Sequence, residues 1–115
     1  MHDPDHFLAG VIEGFYGQPW SLAERFELLD WMADWGLNTY LYAPKDDLHH
    51  RALWREAYAA EEAQELGDLI KACRQRELRF FYALSPGLDI RYRDEGDLNH
   101  LKERVGQMID LGCHD

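Results

Sequence analysis

Basic residues are scarce in this chain. Lys and Arg number 12 against 22 Asp and Glu among 115 residues, which gives a formal net charge of -10. Binding to nucleic-acid phosphates needs clustered Lys and Arg, and attachment to an anionic membrane needs a basic amphipathic helix. We therefore expect no nucleic-acid partner and no membrane partner.

Long apolar runs and cysteines are also few. No run approaches the roughly 20 residues of a membrane-spanning helix, and residues 1–6 are polar and acidic, unlike a targeting signal. Cys73 and Cys113, placed in two predicted helices, form neither a metal-binding spacing nor a disulfide framework. These absences predict reduced thiols and a cytoplasmic protein.

Phosphate-binding fingerprints are missing as well. The glycines follow neither the G-x-G-x-x-G spacing nor the G-x-x-x-x-G-K spacing. A doubly wound nucleotide-binding domain is therefore disfavoured, although its alternation of strands and helices would otherwise fit.

Three nearly continuous apolar runs are present, at residues 7–12, 40–43 and 80–84. Continuous rather than alternating apolarity predicts strands that are buried on both faces, as in a parallel sheet. Helical patterns separate the runs, so the predicted order is β-α-β-α-β-α. Residues 1–115 show no linker and no second domain.

The helices are predicted from caps and apolar spacing. Ser21 and Glu24 form a capping box, and Gly36 supplies a C-terminal stop. The second helix begins near residue 58 without a good N-cap side chain, and the third can begin with Asp97 as its N-cap. Apolar residues at steps of three and four define one face of each helix. They are Leu22, Phe26, Leu29 and Ala33 in the first, Ala63, Leu66, Ile70 and Cys73 in the second, and Leu98, Leu101, Val105 and Met108 in the third.

Chemically rich segments follow the strands and not the helices. Residues 14–20, 43–47 and 85–89 each come after an apolar run, whereas the connections that lead into the strands are short and plain. This layout is typical of an α/β enzyme, most often a (β/α)₈ barrel. Three units are fewer than the eight that close such a barrel.

Several residues in these segments are candidates for function. Gly14 and Gly17 suit either a tight turn or a backbone that approaches a ligand, with Tyr16 and Trp20 as stacking surfaces. Lys45 suits either a solvated ion pair or a donor to substrate oxygens.

The segment after Lys45 leaves further alternatives open. Asp46 and Asp47 suit a pair of catalytic acids, while Asp46–Asp47 together with His49 and His50 have the residue types of a metal site, although adjacent ligands rarely converge on one ion. Ordinary loop polarity is the simpler interpretation of both patterns.

Other residues favour structural roles. The aromatic pairs at residues 31 and 35 and at residues 54 and 58 are interpreted as packing groups, and Asp89 is interpreted as an acid that stabilises a loop.

Three blocks together resemble a known family. They read GVIEGFYG followed by PW at residues 10–20, NTYLYAPKDD at residues 38–47 with HR and WREAY after it, and YALSPGLDI at residues 82–90. The chain is thereby identified as similar to glycoside hydrolase family 84, the O-GlcNAcase and β-N-acetylglucosaminidase family. The blocks cover nearly the whole chain in the family's order and spacing.

The resemblance implies a fold and a chemistry. It implies that residues 1–115 are the first three β/α units of a (β/α)₈ TIM barrel, the N-terminal part of a hydrolase catalytic domain. The family removes terminal β-linked N-acetylglucosamine from glycans or glycoproteins by a retaining mechanism in which the substrate's acetamido oxygen is the nucleophile. No metal and no organic cofactor are expected.

The resemblance also implies site residues. Gly14 resembles the glycine whose carbonyl receives sugar hydroxyls, Tyr16 a tyrosine that lines the acetamido side, and Lys45 the lysine that contacts the sugar. The family's catalytic Asp pair is expected after residue 115, so the chain carries no catalytic residue and is expected to be inactive alone. The alternative is a non-catalytic half-barrel module that self-associates or binds a missing half-barrel.

Overall fold

A computed structural model describes residues 7–115, so the polar segment at residues 1–6 lies outside the described residues. Strands β1 (Gly10–Glu13), β2 (Thr39–Tyr42) and β3 (Arg79–Tyr82) form one parallel sheet in the order β1-β2-β3. The predicted α/β class and its parallel strands are thereby confirmed.

Three α-helices and one short 3₁₀ segment follow the strands. They are α1 (Leu22–Asp34), the 3₁₀ segment Leu48–His50, α2 (Ala60–Gln75) and α3 (Glu95–Asp110). Because each α-helix follows a strand, every chemically rich loop lies at the carboxyl edge of the sheet. Within residues 7–115 no helix has the length and apolarity to cross a membrane.

The start of α1 confirms the predicted capping box. Ser21 Oγ accepts from the Glu24 N–H over 3.1 Å, and Glu24 Oε1 accepts from the Ser21 N–H over 3.0 Å. Gly36 follows the helix at φ 76°, a left-handed conformation that favours glycine. Of the predicted apolar face, Leu29 is buried and Leu22 and Phe26 pack against the core, but Ala33 is exposed. The other buried residues of α1 are Arg25 and Met32.

The start of α3 corrects one prediction. The N-cap is Asp94, whose side chain accepts from the Asp97 N–H over 2.9 Å, and not Asp97. Asp97 is 1% exposed because its own carboxylate binds arginines from other loops. Leu98 and Val105 are exposed, so the apolar face predicted for this helix is only partly buried.

The strands are covered on one face, which corrects the expectation of burial on both. Tyr40, Tyr42 and Phe80 are buried against the helices, whereas Ile12 on the opposite face is 66% exposed. The reason is that α1 and α2 pack on a single side of the sheet, and within residues 7–115 nothing comparable covers the other side.

The core is rich in aromatic rings. Tyr40, Phe80, Tyr42 and Tyr82 stack in succession across β2 and β3 with centroid separations of 6.1 Å. The core is completed by aliphatic and sulfur side chains from the helices: Leu29, Met32, Leu66, Leu69, Ile70, Ala72, Cys73 and Met108.

Two further expectations are settled by burial. Trp54 is fully buried and Tyr58 is 6% exposed, so their packing role is confirmed. Trp31 and Trp35 pack on each other at 6.1 Å, but they are 49% and 70% exposed and so form a surface pair outside the core. Cys113 lies beyond the end of α3 and not within a helix.

Candidate functional site

Three loops meet at the carboxyl edge of the sheet. The strands are in register, with Glu13 opposite Tyr42 and Tyr42 opposite Tyr82. The loops continue this pairing, because the Ala43 N–H donates to the Glu13 carbonyl over 2.9 Å and the Ala83 N–H donates to the Tyr42 carbonyl over 3.2 Å. The loops after β1, β2 and β3 therefore leave the sheet side by side.

Gly14, Tyr16 and Lys45 are brought together at this edge. The Lys45 N–H donates to the Phe15 carbonyl over 3.3 Å, which joins the second loop to the first. The Lys45 Nζ then lies 6.0 Å from the centroid of the Tyr16 ring. Tyr16 is 77% exposed, so most of its surface is accessible.

The two glycines of the first loop differ in what a side chain would disturb. Gly17 adopts φ 92°, a left-handed conformation that favours glycine because it has no β-carbon. A β-carbon at Gly14 would lie 3.2 Å from Ile12 Cγ2 and 3.8 Å from the Ala43 carbonyl oxygen. A side chain at Gly14 would therefore press on the Ile12 side chain, whereas its contact with the second loop would be an ordinary van der Waals contact. Trp20 packs on Phe15 at 5.0 Å, which leaves Tyr16 as the more accessible aromatic surface.

A buried ion pair behind the first loop was not predicted. Glu13 is fully buried, and Arg25 of α1 donates to both of its carboxylate oxygens over 2.8 Å and 2.7 Å. The Tyr40 hydroxyl donates to the same carboxylate. Burial is the largest single effect and would lower the pKa of Arg25. The hydrogen bonds and charge of Glu13, with smaller contributions from Tyr40 and Tyr42, together outweigh it and raise that pKa above its ordinary value. The signal in the sequence was an arginine on the apolar face of α1.

A second carboxylate, that of Asp47, is 9% exposed and supports the turn that bears Lys45. Asp47 Oδ2 accepts from the Tyr42 hydroxyl over 2.5 Å and from the Tyr58 hydroxyl over 2.7 Å, and Oδ1 accepts from the His49 N–H over 3.0 Å. Asp46, in contrast, is exposed. The two adjacent acids therefore lie in different surroundings and do not face one substrate bond as a catalytic pair.

The histidines of the same loop are equally separated. His50 is buried with its Nε2 2.7 Å from the Pro44 carbonyl, whereas His49 packs on Tyr58 at 4.8 Å. Among residues 7–115, no group of three or more His, Cys, Asp or Glu side chains is placed to hold a metal ion.

An ion-pair network joins the second and third loops. Arg55 donates to Asp97 over 2.8 Å and 2.9 Å and to Asp89 over 2.8 Å, and the Trp54 Nε1–H donates to Asp89 over 2.8 Å. Arg91 adds bonds to Asp97 from its backbone and its guanidinium. These bonds, with Arg55 first, hold the pKa of Asp97 well below its usual range. Asp89 thus stabilises its loop as predicted.

Comparison with known proteins shows which family the chain resembles in sequence and in structure. Residues 9–115 match the family described as beta-N-acetylglucosaminidase. The chain is 51% identical over 107 residues to the proteins named Protein O-GlcNAcase of Rattus norvegicus and Mus musculus, a match that covers 93% of this chain and 12% of each of them. A mutant of the Thermobaculum terrenum O-GlcNAc hydrolase matches in structure with a TM-score of 0.88 and 41% identity, over 93% of this chain and 23% of that one.

The fold and these matches define a glycosidase-type α/β chain with its polar loops at one edge of a parallel sheet. The chain belongs to the beta-N-acetylglucosaminidase family, glycoside hydrolase family 84, as the sequence blocks predicted. It spans about an eighth of the length of the curated relatives it matches.

Proposed function

We propose that residues 1–115 form the first three β/α units of a (β/α)₈ TIM barrel, the N-terminal part of a catalytic domain. The sheet face that bears Ile12 is suited to the interior of such a barrel. The backbone also returns to the outer edge of β3, where the Tyr82 N–H donates to the Asp115 carbonyl over 3.3 Å. A further parallel strand at this edge would extend the sheet in the same direction.

Within that barrel, the chain supplies one wall of a β-N-acetylglucosaminidase pocket that accepts terminal β-linked N-acetylglucosamine on glycans or glycoproteins. The observation that carries this proposal is the convergence of Gly14, Tyr16 and Lys45 in a member of this family. Lys45 donates a charged hydrogen bond to the sugar, Tyr16 offers an aromatic face, and the Gly14 carbonyl accepts from hydroxyls. A cytoplasmic location accords with the two free thiols among the described residues.

The proposed chemistry is retaining and substrate-assisted, with neither metal nor organic cofactor. The acetamido oxygen of the sugar is the nucleophile, so the protein supplies a carboxylate that orients this group and a carboxyl that protonates the leaving oxygen. Both come from outside residues 1–115. In support, Glu13, Asp47 and Asp89, which lie near the strand ends, already bind structural partners.

The partner that completes the site is the remaining part of the barrel. A cleft of about 380 Å³ beside β3 is lined by Val105, Met108 and Ile109, and it also contains Arg104, which is 2% exposed. Among the described residues, Nε and Nη2 of Arg104 have no hydrogen-bond partner. Nη1 of Arg104 donates to the Tyr82 hydroxyl over 3.2 Å. Because buried N–H groups without an acceptor are costly, the polypeptide that covers this cleft brings an acceptor for Nε and Nη2.

A non-catalytic half-barrel module that self-associates through this cleft is the second candidate function. Size-exclusion chromatography distinguishes this module from a part of a catalytic barrel. A module of that kind forms a stable oligomer of this chain alone, and Ile109→Lys disperses it, whereas Leu88→Lys, an equally exposed change on the third loop, does not.

The sugar contacts are tested by titrating the ¹⁵N-labelled chain with N-acetylglucosamine and recording amide shifts. We expect shifts at Gly14, Tyr16 and Lys45, and weaker binding by Lys45→Met. Lys71→Met, at an exposed position on α2, is the matched control and leaves binding unchanged. Shifts that avoid these three residues, or an unaltered affinity of Lys45→Met, contradict the assignment.

A further inference from the structure

The turn that bears Lys45 is bound at both ends and in its middle. The Asp47 N–H donates to the Pro44 carbonyl over 3.0 Å and closes the turn, and the Lys45 N–H binds the Phe15 carbonyl over 3.3 Å. Pro44 is fully buried, so the start of the turn is held by packing. The end of the turn is also held by the side chain of Asp47, which is 9% exposed.

Two tyrosines hold that side chain from the helix side of the sheet. Tyr42 ends β2 and Tyr58 precedes α2, and both hydroxyls donate to the same oxygen of Asp47. The Tyr58 hydroxyl is also 2.8 Å from that of Tyr82, which accepts from Arg104 of α3 over 3.2 Å. The Asp47 carboxylate is thus connected to elements of the second and third β/α units.

Both tyrosine hydroxyls are protonated at neutral pH. Burial, followed by the charge of Asp47, raises the pKa of Tyr42 far above its ordinary value. Burial, followed by the neighbouring Tyr82 and Asp47, does the same to the pKa of Tyr58. Each hydroxyl therefore keeps its proton and can donate it to Asp47.

We infer that Asp47 is a positioning residue, which acts through the turn to hold Lys45 against the sugar. Its carboxylate does not reach the pocket, because Tyr42 and Tyr58 engage it on the opposite, helix-covered side of the sheet. The inference rests on the proposed function, since the contact between Lys45 and the sugar belongs to that proposal. It adds Asp47 as a residue that does not touch the sugar but whose substitution impairs sugar binding.

The anchoring is tested by amide hydrogen exchange of the chain itself. Tyr58→Phe removes one hydroxyl and keeps the ring, and Tyr92→Phe, at a tyrosine that is 75% exposed, is the matched control. We expect Tyr58→Phe to speed exchange at the Lys45 amide roughly tenfold, the effect of one lost hydrogen bond, while the amide of Leu69 in α2 is unchanged. Asp47→Asn gives the same local result.

Either of two outcomes overturns the inference. If exchange at Lys45 is unaffected by both variants, the carboxylate does not hold the turn. If exchange at Lys45 and Leu69 rises by the same factor, the variants loosen the whole fold and the role is structural.

A double-mutant cycle in the N-acetylglucosamine titration tests the route through Lys45. We expect Asp47→Asn and Lys45→Met each to weaken binding, and the double variant to bind no more weakly than Lys45→Met alone. Losses that add would show that Asp47 acts independently of Lys45. An unchanged affinity of Lys45→Met would instead remove the proposed sugar contact, while the exchange result would still decide whether Asp47 anchors the turn.

Discussion

At Gly10 the backbones of β1 and β2 leave no room for a side chain. A β-carbon there would lie 1.6 Å from the Thr39 carbonyl oxygen, and this neighbour is backbone that cannot turn aside. We expect Gly10→Ala to lower the free energy of unfolding by at least about 1–3 kcal/mol, the usual cost of overpacking. Urea denaturation followed by tryptophan fluorescence measures the change.

Gly106 provides the matched control for that substitution. It lies inside α3, and a β-carbon there would meet nothing within 4 Å. Because glycine destabilises a helix interior relative to alanine, Gly106→Ala should raise the free energy of unfolding by about 0.5–1 kcal/mol. Equal effects of the two substitutions would contradict the close approach of the strands at Gly10.

The ligand side of the candidate site was predicted from the family resemblance, but its support was not. The sugar contacts of Gly14, Tyr16 and Lys45 stay predictions, which the resemblance of local motifs after the strands made possible. The carboxylates of Glu13 and Asp47 were not assigned their partners, because those partners lie on other elements and no spacing along the chain reveals them.

At the scale of elements, the helix caps have different amounts of side-chain support. Ser21 caps α1 with a complete box, whereas Ala59 at the start of α2 has an extended conformation and no side-chain hydrogen bond. We expect Ser21→Ala to cost about 1 kcal/mol and Ala59→Ser to stabilise by a similar amount. Thermal denaturation by circular dichroism checks both, and a loss of stability in Ala59→Ser would contradict the assigned N-cap.

The order and type of the elements were predictable because the continuous apolar runs of the strands differ from the three- and four-residue apolar spacing of the helices. The ends of the elements and the faces that they bury were less predictable. Asp94 and Asp97 are both acceptable N-caps in the sequence, and tertiary contacts with Arg55 decided between them. The exposure of Ile12 could not be predicted either, because an apolar run does not state how many faces are covered.

At the scale of the whole molecule, the carboxylates that join the second and third loops make stability depend on pH. Bonds from Arg55 and then Arg91 lower the pKa of Asp97, and bonds from Trp54 and then Arg55 lower that of Asp89. A carboxyl whose pKa is lower in the folded state stabilises fully above its unfolded pKa, about 3.9. This contribution is lost as pH falls below that value toward the folded pKa.

We therefore expect the melting temperature to fall steeply as the pH is lowered from about 5 to about 2. Asp97→Asn should start from a lower melting temperature and show a shallower decline, since the titrating group is gone. Asp110→Asn, an exposed change at the end of α3, is the control and keeps the steep decline. If melting temperature falls with pH in parallel for the native chain and Asp97→Asn, the ion-pair network is excluded as the source of the pH dependence.

The proposal that the chain is the N-terminal part of a hydrolase barrel is tested most directly in a chimaera. Residues 9–115 replace the matched segment of the natural Thermobaculum terrenum O-GlcNAc hydrolase, and this protein is called the graft. Turnover of a chromogenic β-N-acetylglucosaminide is then measured for the graft and for this chain alone. We expect the graft to hydrolyse the substrate and the isolated chain not to. In the graft, Lys45→Ala should lower kcat/KM by the equivalent of about 1.5–3 kcal/mol, and Lys71→Ala should have no effect. A folded but inactive graft, or turnover by a monomer of the isolated chain, would contradict the account.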